Sequence, residues 1–232
     1  MTKAGLWLLA LLPGVCGAEV ALDVSVVSDF RSYGISQTGK SPALQLALDY
    51  SHESGMYLGS WASNVDYGNG DDTRLEWDFY GGYATDLNDA VGLDLGYAWY
   101  SYHGADYSGD ADYGETVVGL TLYGRTSVYW FHATDFSGLG IAHNVFSLSH
   151  AITLGDYSLA VTLAHNLSSD KNVVAWDEDK ADYQYLELAI SREFAGFNVT
   201  AAAMATTIDN DFNSDADPAL VVSVNRGFTL LP

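Results

Sequence analysis

Apolar and polar side chains alternate with a period of two in segment after segment of this chain, which restricts most of it to half-buried β-strands. In segment 73–83, Leu75, Trp77, Phe79, Gly81 and Tyr83 share one face, while Arg74, Glu76, Asp78 and Tyr80 share the other. A helix would scatter both sets around its circumference, so only a strand separates them. Segment 42–50 divides the same way, with Leu44, Leu46, Leu48 and Tyr50 against Gln45, Ala47 and Asp49. In segment 91–102, Val91, Leu93, Leu95, Tyr97 and Trp99 oppose Asp94, Gly96, Ala98 and Tyr100. Segments 157–165 and 183–192 follow suit, whereas 125–134 and 196–206 read as strands whose faces the pattern does not orient.

Taken in order, the strands fall near 20–33, 41–51, 55–64, 72–83, 90–102, 113–123, 126–134, 144–154, 157–167, 183–194, 196–206 and 218–228, which makes twelve. Their connections alternate in length. Short turns occur at 52–55, 84–89, 124–125, 155–156 and 195–196, and longer links at 34–40, 65–71, 103–112, 135–143, 168–182 and 207–217. Strict alternation places every long link at one end of an up-and-down antiparallel sheet. This is the layout of an outer-membrane β-barrel, with short periplasmic turns, longer external loops and both termini on the periplasmic side. Strands of about ten residues also match a tilted membrane crossing.

The first 18 residues supply an export signal. Lys3 precedes the apolar stretch Leu6 to Leu12, and Pro13-Gly14-Val15-Cys16-Gly17-Ala18 gives a small-residue exit, so cleavage after Ala18 leaves residues 19–232 as one barrel domain. Lipidation at Cys16 is the rival reading, although Pro13 and Val15 fit a lipoprotein signal poorly. Cleavage after Ala18 removes the chain's one cysteine, leaving no disulfide or thiol chemistry.

A formal net charge of −21 argues against nucleic acid as a partner, since phosphate binding needs clustered Lys and Arg. A soluble β-sandwich or lipocalin-like barrel would also alternate. Sixteen Tyr and six Trp, with pairs such as Tyr97 and Trp99 near strand ends, instead suit the aromatic girdles of a membrane barrel. The last strand alternates through Leu220, Val222 and Val224 and carries Phe228 near its end, a terminal aromatic of the kind that barrel-assembly machinery reads.

Two stretches carry a family resemblance. Val27-Ser28-Asp29-Phe30-Arg31-Ser32-Tyr33-Gly34-Ile35-Ser36-Gln37-Thr38, followed by Pro42-Ala43-Leu44-Gln45, resembles the opening signature of the Gcw_chp family, the TorF-like porins. Gly55-Met56-Tyr57-Leu58-Gly59-Ser60-Trp61-Ala62-Ser63-Asn64-Val65 is similar to that family's second signature. The resemblance implies an outer-membrane barrel and a pore. Tyr33 stands where family members often carry an Arg.

If the polar face lines the lumen, the pore-lining residues are Asp23, Asp29, Arg31, Gln45, Asp49, Arg74, Glu76, Asp78, Asp94, Glu115 and Glu187. Acids dominate this set, so an open lumen would pass cations or neutral polar solutes. The alternative is an interior plugged by its own paired groups, as in small filled barrels. For Asp29, Arg31 and Gln37 the readings are hydrogen bonding that fixes a rim loop, or a polar constriction at the pore mouth. No cofactor is expected. The expected partners are the lipid bilayer, lipopolysaccharide, the assembly machinery and small solutes.

Two further readings remain. A non-conducting structural or adhesive barrel would act through its acidic loops, and an outer-membrane lipid hydrolase would need a Ser, a His and an orienting partner. His132, His143, His150 and His165 sit in no nucleophile motif, so no enzymatic activity is expected. The loop Asp209-Asn210-Asp211-Phe212-Asn213-Ser214-Asp215-Ala216-Asp217, with Asp71-Asp72 and Asp110-Ala111-Asp112, offers oxygen ligands, but it lacks the glycine and terminal Glu of a helix-loop-helix calcium site. Solvated loops, or weak divalent-cation bridging to lipopolysaccharide, are the readings for these segments.

Overall fold

In the computed structural model, which describes residues 18–68 and 70–232, the chain forms a closed antiparallel barrel of twelve strands and is all-β. The expected signal segment lies outside the described residues except for Ala18. The barrel strands are β1 (Ala18–Val27), β4 (Ala43–His52), β5 (Met56–Asn64), β6 (Leu75–Asn88), β7 (Val91–His103), β8 (Tyr113–Leu122), β9 (Thr126–Ala133), β10 (His143–Leu154), β11 (Tyr157–Ser168), β12 (Asp182–Phe194), β13 (Phe197–Thr206) and β14 (Ala219–Leu231). Each pairs with its sequence neighbours, and β1 closes the ring by pairing with both β4 and β14. Closure satisfies every strand edge, which a sheet in hydrocarbon requires.

Side-chain alternation maps onto this wall. Leu44, Leu46 and Leu48 on β4, Trp77 and Phe79 on β6, Leu95, Tyr97 and Trp99 on β7, and Leu186, Leu188 and Ile190 on β12 all face outward and are exposed. Outward aromatics form two belts. Trp77, Trp99, Trp130 and Phe146 lie toward the long-loop end, and Tyr50, Tyr157, Phe194, Phe197 and Phe228 toward the turn end, with Leu and Val between them. The indole N–H groups of the first belt are satisfied locally, Trp77 Nε1 by Ser60 Oγ at 2.7 Å and Trp130 Nε1 by Asn144 Oδ1 at 3.0 Å. Arg226, between the Phe197 and Phe228 rings at 5.0 and 5.2 Å, carries its charge at the turn-end belt. An apolar band flanked by amphipathic rings around a closed barrel is built for the bacterial outer membrane.

The boundaries depart from the sequence reading in three places. The strand expected over 20–33 ends at Val27, and the chain turns inward to form a small hairpin, β2 (Arg31–Ser32) with β3 (Ile35–Ser36). Tyr33 and Gly34 at its tip have φ of 45° and 88°, which no continuing strand tolerates. The turn expected over 84–89 shrinks to Asp89-Ala90 because β6 keeps its ladder with β7 as far as Asn88, through an irregularity between Asp86 and Asn88. The last strand runs past 228 to Leu231, paired with Val20. The two strands the pattern could not orient, β9 and β13, place Tyr129, Phe131 and Ala133, and Ala202 and Met204, on their inner faces.

Candidate functional site: an acidic, tyrosine-lined lumen

Asp23, Asp49, Glu76, Asp78, Asp94, Glu115 and Glu187 all lie on the inner faces of their strands. Five of them accept a hydrogen bond from a tyrosine hydroxyl. Tyr57 and Tyr129 both donate to Asp94, at 2.7 and 3.3 Å, bridging β5, β7 and β9 across the interior. Tyr100 donates to Glu115 at 2.8 Å, Tyr102 to Glu76 at 3.2 Å, Tyr185 to Glu187 at 2.6 Å, and Tyr80 to Asp49. Asp23 instead accepts from Asn225 Nδ2 at 3.1 Å. Inward glycines make room for some of these rings. A Cβ on Gly59 would lie 2.3 Å from the Tyr80 ring, and one on Gly119 would lie 2.2 Å from Tyr129, so each ring lies flat over the glycine of its paired strand. A tyrosine hydroxyl orients a carboxylate without bringing a positive charge to it.

Among the described residues, no Lys or Arg on a barrel strand points into this lumen. Arg192 and Arg226 are exposed at the turn end, paired with Asp156 at 2.9 Å and stacked between Phe rings, respectively. Arg74 precedes β6 at the rim, where its 54% exposed side chain pairs with Asp72 at 2.9 Å; it stands above the lumen wall, unlike the strand acids. Gln45 is buried on the inner face of β4.

Asp29 and Arg31 belong to the inward segment that follows β1. Arg31, 3% exposed, donates from Nε to Asp29 at 2.6 Å and from Nη1 to the carbonyls of Gly34 and Asp217 at 2.8 and 2.7 Å. The Asp29 carboxylate also accepts from Ser36 Oγ at 2.6 Å and Thr38 Oγ1 at 3.3 Å. This knot turns segment 28–42 across the barrel. Phe30 meets Trp61 of β5 edge-on at 5.2 Å, whereas Tyr33 meets Phe131 of β9 at 6.3 Å and Tyr185 of β12 at 6.4 Å. Gly34 presses so closely on the wall that a Cβ there would lie 2.5 Å from Thr206 Cγ2 and 2.8 Å from Tyr185 Cδ2. Gln37 donates to the Ile35 carbonyl at 3.0 Å and stabilises the turn. The segment therefore spans the lumen from β5 to β12, with the Tyr33 ring set against β9 and β12.

Above Tyr33, on the long-loop side, a cavity of about 400 Å3 is lined by residues of several loops and strand ends. Its wall is a chain of rings. Tyr113 meets Phe136 at 5.2 Å, Phe136 meets His143 at 4.3 Å, His143 meets Trp176 at 5.5 Å, and Trp176 meets Tyr183 at 5.0 Å. Tyr183 Oη then donates to the Tyr33 carbonyl at 3.3 Å, joining the wall to the floor. Trp176, Phe136 and Asn166 were not singled out from the sequence; two of them sit in loops, where no periodicity marks them.

The histidines do not converge. His132, His150 and His165 lie on outer faces, bonded to Asn144, Thr126 and Gln184, respectively, and only His143 turns inward, into the ring wall. In the acidic loops, Asp209 Oδ1 accepts from the Asp211 amide and Asn213 Oδ1 from that of Asp215, while Asp217 pairs with Lys40 at 2.8 Å. Among the described residues no three His, Cys, Asp or Glu side chains gather as a metal site. Hydrogen bonds from Thr73 hold the Asp71 carboxyl below its ordinary range, and Lys180 does the same for Asp177.

Among curated protein sequences none matches this chain. Solved structures share its fold at low identity. A KdgM porin aligns with TM-score 0.57 and 9% identity over 90% of this chain and 99% of that one. A NanC porin gives 0.58 and 11% over 90% and 100%. A KdgM porin in complex with disordered oligogalacturonate gives 0.55 and 8% over 90% and 99%. A family model described as a bacterial protein of unknown function, Gcw_chp, matches residues 13–142, which take in both sequence signatures and the inward hairpin. The match extends over more than half of the chain, which therefore belongs to the Gcw_chp family.

Proposed function

We propose that this barrel is an outer-membrane channel for small cationic or neutral polar solutes, with segment 28–42 as its constriction. The observation that carries this reading is the wall itself: seven carboxylates lie on the inner faces of the barrel strands, whereas Arg192 and Arg226 of those strands lie on outer faces. Rings of carboxylates attract cations and repel anions, and low-dielectric walls strengthen that field. The porin fold of the structural neighbours supports a pore. The oligogalacturonate bound by one of them is polyanionic, and the acidic wall here disfavours a solute of that charge.

The external orientation of the long loops brings the ring-walled cavity to the cell surface and the acidic rims to lipopolysaccharide, where divalent ions would bridge them. The alternating last strand with Phe228 supports reading by the barrel-assembly machinery. Residues 1–18 are read as the export signal that delivers the barrel domain 19–232. A second reading, a non-conducting barrel that acts through its loops, is favoured by the packing of Phe30, Tyr33, Trp61, Phe131 and Tyr185 across the interior. Planar-bilayer recording of the refolded domain separates the two. Reproducible conductance steps are expected, and a silent bilayer with a demonstrably folded barrel would favour the second reading.

A further inference from the structure

The cavity above Tyr33 holds two buried polar groups with no hydrogen-bond partner among the described residues. Asn166, 1% exposed on the inner face of β11, has neither Oδ1 nor Nδ2 bonded, and the buried Nε1 of Trp176 likewise lacks an acceptor. Both residues line the cavity. A buried amide left unbonded costs about 1–3 kcal/mol, so such groups imply a partner that fills the space beside them.

We infer that this cavity is a binding site for a neutral saccharide of one or two sugar units. The donors and acceptors decide the ligand class. Asn166 Nδ2 and Trp176 Nε1 offer N–H donors, which an ammonium centre, having no lone pair, leaves unmet, and Asn166 Oδ1 offers one acceptor. Sugar hydroxyls donate and accept, so one ring edge can satisfy all three. Sugar C–H faces are apolar enough to lie against the ring wall from Tyr113 through Phe136 and Trp176 to Tyr183, where aromatic surface supplies contact area at little entropic cost. Glu115, which lines the cavity floor, disfavours acidic sugars. A volume of about 400 Å3 lies within the range of small-molecule sites.

The inference names a solute class for the channel and in that respect rests on the proposed function, but binding is measured without current. The test is isothermal titration of the refolded barrel in detergent with maltose, with digalacturonate and tetramethylammonium as charged probes of similar or smaller size. Maltose is expected to bind and the charged probes to give no saturable heat. Asn166→Ala and Trp176→Phe are each expected to weaken maltose about tenfold, the scale of one lost polar contact of about 1.4 kcal/mol. Gel mobility of unheated and heated samples and far-ultraviolet circular dichroism establish that each variant is folded. Because sugar stereochemistry is a variable, cellobiose, lactose and sucrose are titrated alongside maltose. Absence of saturable binding by all four, tighter binding of either charged probe, or maltose affinity unchanged in both folded variants would overturn the inference. A silent bilayer beside intact maltose binding would count against conduction alone.

Discussion

Replacing Asp29 by Ala removes the anchor of the inward segment and leaves Arg31 behind. The Arg31 guanidinium, 3% exposed, would keep only the Gly34 and Asp217 carbonyls. Stripping one partner from a buried ion pair costs about 3–5 kcal/mol, because the remaining charge is left uncompensated. The ladder of the barrel is closed independently of segment 28–42, so the penalty falls on the docking of that segment. At about 1.4 kcal/mol per factor of ten, docking weakens on the order of a hundred- to several-thousand-fold. Hydrogen exchange reads this directly. The amides of Gln37, bonded to the Phe30 carbonyl at 2.7 Å, and Lys40, bonded to Ser36 Oγ at 2.9 Å, should lose protection while β6 and β7 keep theirs. Single-channel recording should show a larger mean conductance. The double variant Asp29→Ala with Arg31→Met removes the orphaned charge and should recover much of the protection. Unchanged exchange in segment 28–42, or loss spread evenly over the barrel strands, would refute the reasoning.

Other perturbations have equally definite outcomes. Gly34→Ala places a methyl group within 2.5 Å of Thr206 at a φ of 88°, and exchange of segment 28–42 should rise as in Asp29→Ala, with little change in barrel unfolding by guanidinium. Gly59→Val must displace the Tyr80 ring from its seat and break its bond to Asp49, costing about 1–3 kcal/mol in the same unfolding assay. In the loop before β12, Asp177 titrates below and Lys180 above its ordinary range because they pair at 2.5 Å. The pair's contribution is full between the unfolded carboxylate and ammonium values, roughly pH 4 to 10. It is lost as pH falls through the lowered Asp177 value or rises through the raised Lys180 value. In Lys180→Gln, nuclear magnetic resonance titration should move the Asp177 midpoint up toward the usual carboxylate range.

The parts of this fold that were legible in the sequence are those with strong chemical contrast between faces. On β6, Trp77 and Phe79 face lipid while Glu76 and Asp78 face the lumen, and no other register is compatible with a membrane. On β13 the outward Ala201, Ala203 and Ala205 alternate with inward Ala202 and Met204, and on β9 an inward Phe131 sits beside an outward Trp130. Those strands have little contrast, so their orientation comes only from pairing with neighbours. The acidic character of the interior was legible for the same reason that β6 was. Its tyrosine partners were not, because each Tyr–carboxylate contact joins residues on different strands or on one inner face, as Tyr57 and Tyr129 do at Asp94. The inward turn after Val27 was hidden by Ser28-Asp29-Phe30, which continues the alternation while the positive φ at Tyr33 and Gly34 reverses the chain. Nothing periodic marks Trp176 or Phe136, since loop residues are placed by tertiary contacts alone.

On the proposed function, the inward carboxylates of the wall set the charge preference of the channel. The measurement that tests it most directly is the reversal potential of the refolded barrel across a potassium chloride gradient. The sign is expected to be that of a cation-selective channel, and the combined variant Glu76→Gln, Asp78→Asn, Glu115→Gln is expected to move the potential toward zero. An anion-selective sign, or a potential indifferent to those three neutralisations in a folded barrel, would contradict it.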